Sequence, residues 1–132
     1  MEIRSETVQS RIPVTIIRPS GHFDVVGADD FDAYVTKVVN DGDSDMLVDL
    51  GDVTFLSSSG IGSINNLFYQ LHTYDQEEFK KDISPGIRNG TYKAPHLKLL
   101  NSNDRIENTL RLMGIDRYID IFFDEDEAVQ AF

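Results

Sequence analysis

Residues 47–68 read Leu47-Val48-Asp49-Leu50-Gly51-Asp52-Val53-Thr54-Phe55-Leu56-Ser57-Ser58-Ser59-Gly60-Ile61-Gly62-Ser63-Ile64-Asn65-Asn66-Leu67-Phe68. An apolar run enters a triple serine, which enters a glycine-spaced amphipathic stretch. Residues 46–50 are short and apolar, the pattern of a strand buried on both faces. The helix is expected to begin near Gly60, with Ile61, Ile64, Leu67, Phe68 and Leu71 as its buried stripe. Gly60 and Gly62 are expected to admit a close backbone approach. The pattern sets Ser59 at a helix mouth, where unbonded N–H groups and the helix dipole favour negative charge. A serine there either caps the helix or receives a phosphate.

Working outward, the N-terminal side opens with two β-rich segments. Glu2–Gln9 is polar and alternating, which suits an edge strand, and residues 13–17 are β-branched and should lie deeper. A first helix is predicted over residues 28–41. Phe31, Val35, Val38 and Val39 share one face, and Asp29 and Asp30 lie in the expected first turn. On the C-terminal side, residues 96–100 read as a strand. Asn103 can cap a helix carrying Ile106, Leu110 and Met113, with Gly114 as its stop. Residues 118–123 read as a last short strand, and the acids of 124–127 open a terminal helix. The order ββαβαβαβα predicts an α/β fold. Its mixed sheet has about five strands and is packed with about four helices, in a single domain over residues 1–132. Residues 73–96 carry Pro85-Gly86, Asn89-Gly90 and Pro95. They are expected to form an insertion loop that the fold does not need.

Composition narrows the function. The chain has 23 acidic and 12 basic residues and a formal net charge of −11. That balance argues against nucleic-acid binding and against docking on anionic lipid, and it would speed encounter with a basic protein surface. Cysteine is absent, which removes disulfides, thiolate metal sites and cysteine nucleophiles. No long apolar span or leader pattern occurs, so a cytoplasmic protein without direct membrane insertion is expected. His22, His72 and His96 lack acidic partners at recognisable spacing, and no phosphate-cradling glycine motif is present. No catalytic residue, metal site or cofactor is expected.

The stretch Asp49-Leu50-Gly51-Asp52-Val53-Thr54-Phe55-Leu56-Ser57-Ser58-Ser59-Gly60-Ile61-Gly62 resembles the signature of STAS domains of the anti-sigma factor antagonist type. Ser20-Gly21-His22-Phe23-Asp24 is similar to the family's turn before its first helix. Leu112-Met113-Gly114-Ile115-Asp116-Arg117-Tyr118-Ile119 is similar to its C-terminal segment. The resemblance implies an anti-anti-sigma factor without catalytic activity that works by partner switching in transcription regulation. Its partner would be a GHKL-type anti-sigma factor and serine kinase. The family's phosphorylated serine falls on Ser59, with Ser58 and Ser57 as rival hydroxyls, and a PP2C-type phosphatase would reset the switch. Asp24, Ser57, Ser58, Ser59, Gly60, Ile61 and Gly62 would face the partner.

Ser57 stands where the family has an acid. That departure keeps a second reading open, a non-switching STAS scaffold or accessory subunit of a stress-signalling or transport complex. A remoter rival is a receiver domain phosphorylated on Asp49 or Asp52. It would need an acidic pair after the first strand and a lysine at the end of the last, and residues 118–123 contain no lysine.

Overall fold

The computed structural model describes residues 1–71, 79–101 and 103–132. His72 lies outside the described residues. Strands β1 (Glu2–Gln9) and β2 (Pro13–Phe23) form an antiparallel hairpin, with Glu2 opposite Ser20 and Gln9 opposite Pro13. Strands β3 (Met46–Asp49), β4 (Val53–Leu56), β5 (Leu97–Leu100) and β6 (Ile121–Phe122) complete a six-stranded mixed sheet. The spatial order is β1-β2-β3-β5-β6, with β4 paired to β2. β2 is long enough to serve two parallel neighbours in turn. Its residues Thr15, Ile16 and Ile17 pair with β3, and Gly21, His22 and Phe23 pair with β4 across a register shift.

Among the described residues there are five α-helices: α1 (Val25–Asn40), α2 (Ser58–Leu71), α3 (Ser84–Asn89), α4 (Asp104–Leu112) and α5 (Glu125–Gln130). One sheet face, with Ile17, Met46, Val48, Leu97 and Leu99, packs under α1, α2 and α4 through Phe31, Val35, Ile64, Phe68, Ile106 and Leu110. The other face, with Val14, Ile16, Leu47 and Leu100, is closed by Ala128 and Val129 of α5. Among the described residues no helix is long and apolar enough to cross a membrane.

Several local expectations differ from the structure. α1 starts at Val25 because Asp24 caps it, its Oδ1 accepting the Gly27 N–H at 2.9 Å. Asp29 and Asp30 therefore lie beyond the first turn, and Asp30 instead meets the N-terminal amine at 3.1 Å. β4 escapes a period-two reading because its burial runs buried, exposed, exposed, buried. Residues 79–96 hold a π turn (Phe79–Ile83) and α3, with Ile83, Gly86 and Ala94 buried. The Ala94 N–H donates to the Tyr118 carbonyl at 2.7 Å. This part of the expected loop is built into the core.

Arg18 ties the hairpin to the remainder of the sheet. Its guanidinium donates to Asp49 Oδ2 (2.7 Å), Glu6 Oε1 (2.7 Å) and Glu125 Oε1 (2.8 Å), joining β1, β2, β3 and α5. Burial alone would pull its pKa down. The bonds to Glu6, Glu125 and Asp49 outweigh that and hold it above its ordinary value. Arg18→Met would leave the half-buried Asp49 without its cation, and a loss of about 3 kcal/mol is expected. A lower urea midpoint at unchanged slope would register it.

The two glycines of the signature are not equivalent. A Cβ on Gly60 would stand 2.8 Å from the Phe23 carbonyl oxygen and 2.7 Å from Leu56 Cδ1, whereas one on Gly62 would meet nothing within 4 Å. Only Gly60 is required by close approach. Gly60→Ala should destabilise by about 1–3 kcal/mol through overpacking. Gly62→Ala should stabilise by up to about 1 kcal/mol through helix propensity. Paired thermal melts would distinguish the two signs.

Candidate functional site

The serine turn lies where β4 ends, beside the end of β2, as the parallel register requires: His22 pairs with Phe55 and Phe23 with Leu56. Ser57 is the cap of α2. Its Oγ accepts the Gly60 N–H at 3.2 Å and donates to the Phe23 carbonyl at 2.8 Å. Its own N–H donates to the same carbonyl at 3.0 Å, and its carbonyl accepts the Ile61 N–H at 3.0 Å. The helix thus begins at Ser58, two residues before the position expected from sequence.

These bonds sort the three hydroxyls. Ser57 is committed to the backbone. Ser58 is exposed and Ser59 half-buried, and neither hydroxyl bonds to another described residue. Both belong to the first turn of α2, where the N–H groups of positions N1 and N2 have no intrahelical acceptor. Gly60 and Ile61 are buried and shape the turn from beneath, while Gly62 is exposed beside Ser58 and Ser59. A negative charge on Ser59 would sit at the positive end of a 14-residue helix.

The adjoining turn supplies an apolar rim. Asp24 caps α1 from the end of β2, leaving Val25 and Val26 exposed at 64% and 67%. Phe55 is 48% exposed and packs edge-on against His22, with ring centroids 6.2 Å apart. α1 and α2 stay in step through the Ser63 hydroxyl, which donates to the Ala28 carbonyl at 3.4 Å. Two capped helix starts and four exposed apolar or aromatic side chains therefore share one end of the sheet. An open depression lined by Met1, Ser20, His22, Asp24, Val26 and Thr54 flanks them. Sequence reasoning overlooked Val25, Val26 and Phe55. Reading Asp24 as the cap would have exposed the two valines, because they then fall off the Phe31–Val35 stripe.

The rival chemistries find little support here. Both Asp49 oxygens are engaged, Oδ2 by Arg18 and Oδ1 by the Gly51 N–H (2.9 Å) and Asn101 Nδ2 (3.3 Å), so this carboxylate is a structural anchor. His96 does have an acidic partner, contrary to expectation: its Nδ1 lies 2.8 Å from Asp45 Oδ1. That pair precedes β3 and β5, at the end of the sheet opposite the serines. Among the described residues no group of three acidic or histidine side chains is placed to hold a metal ion.

Comparison with solved structures finds the same architecture over nearly the whole chain. A Thermotoga maritima protein assigned as an anti-sigma factor antagonist is 21% identical, covers 97% of this chain and 92% of its own, and superposes with a TM-score of 0.72. An anti-sigma factor antagonist from Mycobacterium paratuberculosis gives 19% identity, 98% and 93% coverage and a TM-score of 0.71. The Bacillus cell fate determinant SpoIIAA, in its phosphorylated form, gives 17%, 97% and 96%, and 0.61. Identities this low establish a shared fold. The family model of the STAS domain matches residues 5–90, from the first strand through the serine turn to the end of α3. On that match and that architecture, the chain belongs to the STAS domain family.

Proposed function

We propose that this protein is an anti-sigma factor antagonist that binds an anti-sigma factor through the serine-turn end of its sheet and is released by phosphorylation of Ser59. The observation that carries the reading is the pairing of a hydroxyl with an apolar rim. Ser59 stands in the first turn of α2 with no bond to another described residue, beside the exposed Phe55, Val25 and Val26. The rim gives a protein partner a desolvated centre, and the hydroxyl gives a kinase a place to add charge within the same footprint.

The physics of release is local. Phosphorylation adds about −1.5 to −2 charge units at neutral pH. At the start of α2 the phosphate is well tolerated in the free protein, since the dipole and the first-turn N–H groups favour it. Inside an interface the same charge must be desolvated, and leaving it unpaired costs about 3–5 kcal/mol. Each ~1.4 kcal/mol is tenfold in affinity, so such a cost lowers binding by two orders of magnitude or more. No large rearrangement is needed.

The partner in this reading is a GHKL-type serine kinase, with a PP2C-type phosphatase restoring the hydroxyl. The protein contributes no chemistry of its own, and it acts in the cytoplasm. The non-switching alternative rests on Ser57 in place of an acid. The geometry around Ser57 favours the switch, because its hydroxyl caps α2 without a carboxylate and leaves Ser59 presented.

Co-purification from the native host with mass spectrometry should return such a kinase and phosphate on Ser59. Ser59→Ala should retain partner binding and Ser59→Asp should lose at least tenfold, with both variants folded by circular dichroism. Equal binding by the two would leave the constitutive scaffold as the better reading. Phe55→Ala should weaken binding by about 1–3 kcal/mol in the same assay, as loss of a central aromatic anchor does.

A further inference from the structure

The outer edge of β1 is unpaired in the sheet order, and its charges are arranged to match themselves. Glu2, Arg4, Glu6 and Val8 lie opposite Ser20, Arg18, Ile16 and Val14 of β2, on the α5 side of the sheet, while Ile3, Ser5 and Thr7 lie on the α1 side. Arg4 is exposed and has no ion pair among the described residues. Glu6 is 56% exposed and gives Oε1 to Arg18, and its Oε2 has no described partner. Scattered charges on an edge strand ordinarily keep chains apart. Here the signs alternate minus, plus, minus at every second residue.

We infer that β1 is a self-pairing surface, on which a second copy of this chain adds antiparallel about a two-fold axis through Ser5. In that register Arg4 faces Glu6 of the second copy on both sides of the axis, Ile3 faces Thr7, and Glu2 faces Val8. The whole strand overlaps, and each Glu6 bridges its own Arg18 and the incoming Arg4. Moving the axis to Arg4 would stack Arg4 on itself and set Glu2 against Glu6. Moving it to Ile3 would cut the overlap to residues 1–5. Charge and length thus select one register, and the contact is isologous and closed.

The arrangement leaves the proposed partner site open. The Met1 end of β1 lies beside Ser20 and Gly21, near the serine turn. Antiparallel pairing therefore sends the two serine turns to opposite ends of the joined sheet, roughly 25–30 Å apart along the strands. A pair of chains would be bivalent for its partner. The −11 charge of each copy opposes association, so pairing should strengthen as moderate salt screens that repulsion.

Because the chain has no cysteine, single cysteines test the register directly. Ser5→Cys places two thiols on the axis with Cα atoms about 4.5–5.5 Å apart, inside the range of a disulfide. Thr7→Cys places them about 14 Å apart, outside it. Ser5→Cys should therefore form a covalent dimer under mild oxidation roughly tenfold or more faster than Thr7→Cys. In sedimentation velocity the unmodified chain should show a dimer that Arg4→Glu converts to monomer, with the circular dichroism of both unchanged. Equal cross-linking rates, a strictly monomeric chain, or a dimer that survives Arg4→Glu would each overturn the inference. The last would assign the contact to another face.

Discussion

The carbonyl of Phe23 accepts both the N–H and the hydroxyl of Ser57, and much of the site geometry follows from that pair of hydrogen bonds. It fixes where β4 stops relative to β2, and so where α2 starts. It sets the floor against which Gly60 packs with no room for a Cβ. One residue later, Asp24 turns the chain into α1. The end of β2 thus feeds both helix starts, and the serine turn and the Asp24 turn are tied to the same strand end. A serine is well suited to this position. Its hydroxyl can donate to Phe23 while accepting from Gly60. An ionised carboxylate at 57 would accept from Gly60 but would meet the Phe23 oxygen with no proton to offer, and would set two acceptors against each other.

The same point bears on charge. With Ser57 neutral, no carboxylate in the cap competes with a phosphate two residues later for the positive end of α2. Like charges that close disfavour each other strongly in a partly desolvated turn. A neutral cap therefore lowers the cost of holding a dianion on Ser59 in the free chain. In the proposed switch, the cost of the phosphate then falls mainly on the complex, which is where release requires it.

Much of the fold was legible in the sequence because its signals were strong and local. Asn103 caps the helix expected of it, the acids from Asp124 open the terminal helix with Asp124 as its cap, and Gly114 ends α4 with a left-handed φ of 77°. The stripe of α2 has the period that burial on one face imposes, and β2, buried on both faces, reads as a continuous β-branched run. Three things were not legible, two because a tertiary partner decides them and one because a local cap sits inside a turn. β4 alternates poorly since Phe55 is turned to the surface, where its companion is His22. The part of residues 73–96 that the structure describes looks like a loop from its prolines and glycines, yet Pro85 opens α3, and Ala94 and Tyr92 pack on the core. α1 starts three residues before the sequence expectation because the Asp24 side chain bonds the Gly27 N–H and turns a loop residue into a cap.

At the candidate site, the sequence located the hydroxyls but not the surface around them. Ser59 was singled out by its position before Gly60-Ile61-Gly62, and the structure sets it in the first helical turn beside the exposed Ser58. Gly60 and Ile61, grouped with it by motif, are buried and act from beneath. The exposed rim of Val25, Val26 and Phe55 comes from two segments some thirty residues apart, brought together only by the parallel pairing of β2 with β4. A motif read along the chain contains the groups that one segment contributes. The surface a partner would meet is set by strand register, because register decides which side chains of the second segment emerge beside the first.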